Sequence, residues 1–203
     1  MSKMPGIPND LLLQAGLQLM KQDGRPLTKI SSSGRSMKYA LRNGETVRVR
    51  TCNDPILIVL SDKSSGDDAK LNIDGTDWLL IVMPEIPRTP GKVLAFLVPT
   101  EIASSACRKA HALWLDSKPN TGGNNTTWNI WFDDGHKPWN GFASKWSKYL
   151  LEVTGVVPQP TGSAEKPDLE TNMKTEIEEA RQRVSRAAGV PVDAVKITIQ
   201  FGI

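Results

Sequence analysis

The apolar positions of this chain follow two periods, 3.6 and 2, in separate stretches. Over residues 9–21, Leu12, Leu13, Gly16, Leu17 and Leu19 recur at helical spacing, and Asn9 or Asp10 is placed to cap the first turn. Residues 23–35, rich in Gly, Pro and Ser, read as a loop. Residues 37–41 then form a strand-like run that meets Asn43-Gly44, a strong hairpin signal. Thr46 to Arg50 alternates cleanly, which buries Val47 and Val49 and places Arg48 and Arg50 together on the other face. Residues 55–60 are continuously apolar, as expected of a central strand, and the polar stretch 62–77 separates them from two further apolar runs, 78–83 and 93–98. A helix is predicted over residues 100–116, capped by Thr100, with Ile102, Ala106, Ala110, Leu113 and Trp114 inward. A strand at 128–132 and a closing helix at 142–151 follow, with Phe142, Trp146, Tyr149 and Leu150 at helical spacing.

These runs predict an α+β core with a mixed β-sheet flanked by helices, over residues 8–155. Residues 156–168, dense in Pro, Gly, Ser and charge, read as a linker. Residues 169–203 predict a helix, ended by Gly189 and Pro191, and then an alternating strand from Val195 to Phe201. A helix–strand pair of that size buries too little surface to fold alone, so it is expected to dock on the core or on a partner.

The net charge of +3 is too small to require an acidic partner, so only its distribution is informative. Cys52 and Cys107 lie in apolar stretches and predict reduced thiols in a cytoplasmic protein. The N-terminal residues lack a signal-peptide pattern and no apolar run approaches a bilayer span, so no membrane association is expected.

Basic residues concentrate between positions 21 and 50, where Arg35, Lys38, Arg48 and Arg50 could neutralise phosphates. Trp131 and Trp139 are candidate stacking platforms for bases, whereas Trp128, Phe132 and Trp146 fit buried stripes. Cys52, Cys107, His111 and His136 match no zinc spacing, and the acidic stretch with Asp67, Asp68, Asp74 and Asp77 lacks the spacing of a calcium loop. No metal site and no cofactor is expected.

The order helix, three or more strands, helix, strand over residues 9–132 resembles the core of PD-(D/E)XK nucleases. That resemblance implies a first acid at Asp77, just before the strand beginning at Trp78, and an acid–x–Lys on the next strand, converging on a divalent metal. The next strand, Lys92 to Val98, holds no carboxylate, and Glu85 and Lys92 flank the hairpin instead. The resemblance therefore implies a scaffold that binds without cutting. Three functions are expected in descending order. The first is a non-catalytic DNA- or RNA-associated protein. The second is a protein-interaction factor working through its C-terminal module, with a homodimer compatible. The third is a metal nuclease with a displaced site at Asp77, Glu85 and Lys92.

Overall fold

The computed structural model describes residues 5–30, 38–118, 125–135, 140–152, 155–157, 181, 184–185 and 191–196. The contacts divide the chain into a unit of residues 1–159 and a second of residues 160–203.

The first unit is α+β. Helix α1 (Asn9–Gln22) is followed by β1 (Thr28–Lys29), β2 (Lys38–Ala40), β3 (Thr46–Thr51), β4 (Ile56–Leu60), β5 (Trp78–Pro84) and β6 (Gly91–Pro99). Helix α2 (Thr100–Ser117), β7 (Thr127–Trp131), a short α3 (Phe142–Lys145) and β8 (Gly155–Val157) complete it. Six strands form one mixed sheet in the order β1-β2-β3-β5-β6-β8, and β4 and β7 form a separate two-stranded ribbon. Within the sheet only the β3–β5 pairing is parallel, and the excursion that contains β4 provides the crossover.

Two apolar layers cover the two faces of the sheet. On one side α1 sets Leu12, Leu19 and Met20 against Val47, Val49, Leu80, Val82, Ala95 and Leu97. On the other, Leu79, Ile81, Phe96 and Val98 meet Ala103, Cys107 and Ala110 of α2, together with Leu57, Val59, Trp128 and Ile130 of the ribbon. Strand β5 is buried on both faces from Leu79 to Pro84, so β5, not β4, is the central strand. The run at 56–60 is instead half-wrapped: Leu57 and Val59 are fully buried, while Ile58 and Leu60 are 47% and 51% exposed.

The hairpin signal at Asn43-Gly44 holds, but as a longer connection. The Gly44 N–H donates to the Leu41 carbonyl (3.0 Å) and the Leu41 N–H to the Glu45 carbonyl (2.8 Å), with Gly44 at φ +89°. A left-handed residue after a tight turn is the geometry that glycine supplies without strain.

Several sequence expectations are corrected. Pro8 and Pro99 stand at the N-caps of α1 and α2, and Asn9 and Thr100 are already the first helical residues. In α2 the buried stripe is Ala103, Ser104, Cys107, Ala110 and His111, whereas Ile102 and Leu113 are exposed. Apart from His111 that stripe consists of small side chains. The closing helix at 142–151 breaks after Lys145 and continues as a 3₁₀ turn, Ser147–Tyr149.

In the second unit the described part is a helical position at Arg181, helical residues Val184 and Ser185, and a 3₁₀ turn, Val192–Ala194. The Arg181 guanidinium donates to the Val195 and Val192 carbonyls at 3.0 and 3.3 Å. The remainder of the expected linker, helix and C-terminal strand lies outside the described residues.

Candidate binding groove between α2 and β7

The sequence candidates do not gather into one site. The Asp77 carboxylate accepts the Thr46 N–H at 2.7 Å and the Thr46 hydroxyl at 2.8 Å, tying the start of β5 to the start of β3. Those bonds hold its pKa below the ordinary carboxylate range. Glu85 accepts from Lys92 at 2.6 Å across the β5–β6 hairpin. The seven residues of β5 separate Asp77 from Glu85, a span of about 26 Å at roughly 3.3 Å per step. One metal ion cannot bridge it, so the displaced nuclease site at Asp77, Glu85 and Lys92 is not assembled.

The basic face is also redirected. Arg48 donates through Nη1 to the Asn72 carbonyl and through Nη2 to the Asp74 carbonyl, the latter at 3.2 Å. The Arg50 Nη2 donates to the Ile58 carbonyl at 2.7 Å. Both arginines therefore fasten the 62–77 excursion and the ribbon to β3, which counts against their expected role as phosphate contacts. Lys38 lies in β2 opposite Arg48. Arg35, Trp139 and His136 lie outside the described residues.

The acidic stretch serves the same strapping. The Asp74 carboxylate accepts the Leu71 N–H at 2.8 Å and the Ser104 hydroxyl at 2.5 Å, with Arg108 at 3.5 Å. Asp68 instead pairs with Lys63. Cys52 and Cys107 are buried, and burial pushes both thiols up to about 12, far from the thiolate that nucleophilic or metal chemistry requires.

A different location combines open hydrogen-bonding groups with a cavity. In the β4–β7 ribbon the Phe132 N–H donates to the Pro55 carbonyl and the Ser61 N–H to the Thr126 carbonyl, each at 2.8 Å. Those bonds set the phase of the antiparallel ladder. Leu57 with Ile130, and Val59 with Trp128, exchange the bonds inside the ribbon. Ile58 and Leu60 on one strand, and Thr127, Asn129 and Trp131 on the other, turn their N–H and C=O groups outward.

On the β4 side most of the outward groups are occupied, the Ile58 N–H being without a partner among the described residues. Besides the bond from Arg50 to Ile58, the Leu60 N–H donates to Asn72 Oδ1 (3.1 Å) and the Leu60 carbonyl accepts the Asn72 N–H (2.8 Å). On the β7 side the Thr127 N–H donates to Asn125 Oδ1 at 2.9 Å. At Asn129, the middle of the strand, the outward N–H and C=O have no partner among the described residues. The Asn129 side-chain Oδ1 is likewise buried without a donor.

This outer edge borders a cavity of about 200 Å³, with Thr127, Asn129 and Trp131 on one wall and Ala110, His111 and Trp114 of α2 on the other. Lys118 and Asn125 complete the lining. A ring stack runs from the core to this cavity. Trp128 lies 4.3 Å from His111 at an interplanar angle of 11°, and His111 lies 5.4 Å from Trp114 at 22°. The His111 Nε2 lies 2.8 Å from the Ser64 carbonyl, which places the proton on that nitrogen. Burial depresses its pKa, only partly offset by the Ser64 bond, so the ring at this wall is neutral near pH 7. Of the sequence candidates, Trp131 lies here. Asn129 was not singled out, although an Asn between tryptophans in a strand is a usable signal, because Asn is depleted in strands.

Two further hollows share Arg25 and Trp78, near the hairpin turn and near Tyr149. In them Arg25 pairs with Asp23, and the Trp78 indole N–H donates to Glu45 at 3.0 Å. No helix among the described residues is long and apolar enough to cross a membrane.

No protein-family model, no curated protein and no solved structure matches this chain.

Proposed function

We propose that the protein is a binding module that captures an extended polypeptide segment along the outer edge of β7, with α2 forming the opposite wall. The observation that carries this reading is the open N–H and C=O of Asn129 at the centre of an edge strand beside a preformed cavity. Edge strands that are not in use are normally paired, covered or blunted, as β4 is by Arg50 and Asn72. An added strand would supply two backbone bonds at Asn129, and the aromatic walls would select its side chains. The flanking helix suits a single extended chain better than the broad edge of a second sheet.

DNA or RNA binding remains the rival reading. Trp131 beside the cavity supports it, and the engagement of Arg48 and Arg50 with carbonyls weakens it.

The test is a peptide selection from a random library, followed by titration of the selected peptide and of single-stranded DNA and RNA. The Asn129→Pro variant accompanies it. Proline removes the outward N–H but no bond of the β4–β7 ladder, so folding should survive while binding is lost. Peptide binding that is indifferent to Asn129→Pro refutes edge addition. Tight, salt-sensitive nucleic-acid binding without peptide binding returns the function to the rival reading.

A further inference from the structure

The hollow beside the β2–β3 hairpin is lined by two turns that the fold holds fixed. The first turn ends α1. The Arg25 N–H donates to the Met20 carbonyl at 2.9 Å and the Gly24 N–H to the Lys21 carbonyl at 3.2 Å, with Gly24 at φ +81°. Such a pair of bonds around a left-handed glycine is a Schellman cap, and Pro26 then restricts the next φ. The second turn, 41–45, is closed by its backbone bonds and by the Glu45 N–H, which donates to Asn43 Oδ1 at 3.1 Å. Glu45 also accepts the Trp78 indole N–H, which anchors that ring at the hollow. Tied walls of this kind bind a ligand without first having to be ordered.

The hollow measures about 210 Å³. A cavity of about 150 Å³ already admits benzene, so there is room for one ring and a small substituent. Pro26, Leu41 and Trp78 supply apolar lining, and an indole face and a guanidinium plane both stack on flat rings. Charge decides the substituent. Arg42 is exposed and has no partner among the described residues. Arg25 gives its Nε–H to Asp23, which leaves the Nη groups as donors. Glu45, the one acid among the described lining residues, accepts Asn43 Nδ2–H at 2.8 Å and the Trp78 N–H at 3.0 Å on the same oxygen. Its charge is therefore directed at its own neighbours. The donors left over are guanidinium forks, whose shape matches a carboxylate or a phosphate.

We propose that this hollow binds a small aromatic anion, with the ring packed on Trp78 and the carboxylate or phosphate held by Arg42, assisted by Arg25. The site uses no residue of the β7 groove and does not depend on edge addition.

The probes are benzoate, phenyl phosphate, cyclohexanecarboxylate, benzyl alcohol and benzylamine, each titrated into the full chain at low salt. Binding is followed in proton–nitrogen NMR spectra, with the Trp78 indole N–H assigned through the Trp78→Phe variant. Benzoate and phenyl phosphate are expected to shift that resonance saturably. Benzyl alcohol and benzylamine should bind at least about tenfold more weakly, the effect of losing a charge-assisted bond. Cyclohexanecarboxylate should bind more weakly than benzoate. Arg42→Gln should weaken both aromatic anions about tenfold and leave benzyl alcohol unchanged. Arg42 is exposed, so this variant tests recognition and not folding. Tighter phenyl phosphate indicates a phosphate-bearing ligand and tighter benzoate a carboxylate-bearing one, and either supports the site. The proposal is overturned if the anions bind no better than benzyl alcohol, if Arg42→Gln leaves their affinity unchanged, or if the Trp78 resonance does not move. Equal binding of cyclohexanecarboxylate and benzoate overturns the selection of a ring.

Discussion

The contact between α1 and the central sheet can be tested at Gly16, where two effects of opposite sign compete. Replacing a mid-helix glycine by alanine stabilises a helix by about 1 kcal/mol. At Gly16, however, the added Cβ would stand 2.4 Å from Val82 Cγ2 and 3.4 Å from Cγ1. The first distance is about 1 Å short of contact, and Val82 is β-branched and fully buried, so its methyl can move away only by leaving its packed rotamer. Val82 is fully buried in β5, which is bonded to β3 on one side and β6 on the other, so the strand cannot retreat. Overpacking of this kind costs about 1–3 kcal/mol. At 2.4 Å the cost belongs in the upper part of that range, about 2–3 kcal/mol, so after the helix gain Gly16→Ala should destabilise by about 1–2 kcal/mol. Urea unfolding of four proteins decides the matter: native, Gly16→Ala, Val82→Ala and the double variant. The double variant should be more stable than the sum of the two single losses by at least about 1 kcal/mol, because the new methyl occupies space vacated by the valine. A neutral or stabilising Gly16→Ala in the native background would show that α1 can lift off β5, and the close-approach argument would fail.

Two further outcomes follow from the strapped excursion. Asp74→Ala removes the acceptor of Leu71, Ser104 and Arg108 together, and should cost about 2–3 kcal/mol in urea unfolding, with Ser104→Ala adding little on top of it. Because burial holds the folded-state pKa of His111 below its ordinary 6.5, the unfolded chain binds that proton more readily; the stability due to neutral His111 should be full above about pH 6.5 and decline as the pH falls below it. Denaturation midpoints at pH 7.5 and 5.5 should separate for the native chain and converge in His111→Gln.

Much of the local structure was legible from the sequence, because short-range physics determines it. The alternation of Thr46 to Arg50 places Val47 and Val49 in the core, and Asn43-Gly44 turns the chain. What stayed hidden depends on distant partners. Residues 56–60 and 78–83 are equally apolar, yet the first forms a ribbon strand and the second the middle of the sheet, because only the second finds neighbours on both sides. In α2 the periodicity points to Ile102, Ala106, Ala110, Leu113 and Trp114, and of these Ala110 is buried while Ile102 and Leu113 are exposed. The rest of the buried stripe is Ala103, Ser104, Cys107 and His111, mostly small side chains that a bulk-weighted reading passes over. Arg48 and Arg50 share a face as their spacing requires, but the carbonyls that receive them belong to Asn72, Asp74 and Ile58, and no pattern in the sequence points to carbonyls. At the groove, Trp131 stood out by residue type. Asn129 acquires its meaning only from the phase of the ladder, which the bonds at Phe132 and Ser61 fix.

The asymmetry of the β4–β7 ribbon bears on stoichiometry. A strand pair with two open edges is a template that can be extended in both directions and, with like chains, without limit. Here Arg50 and Asn72 occupy most of one margin, which disfavours growth on that side. If β7 is the docking edge proposed above, one guest per host is the expected stoichiometry, and the seal that fastens the 62–77 excursion to the ribbon would then also oppose polymerisation.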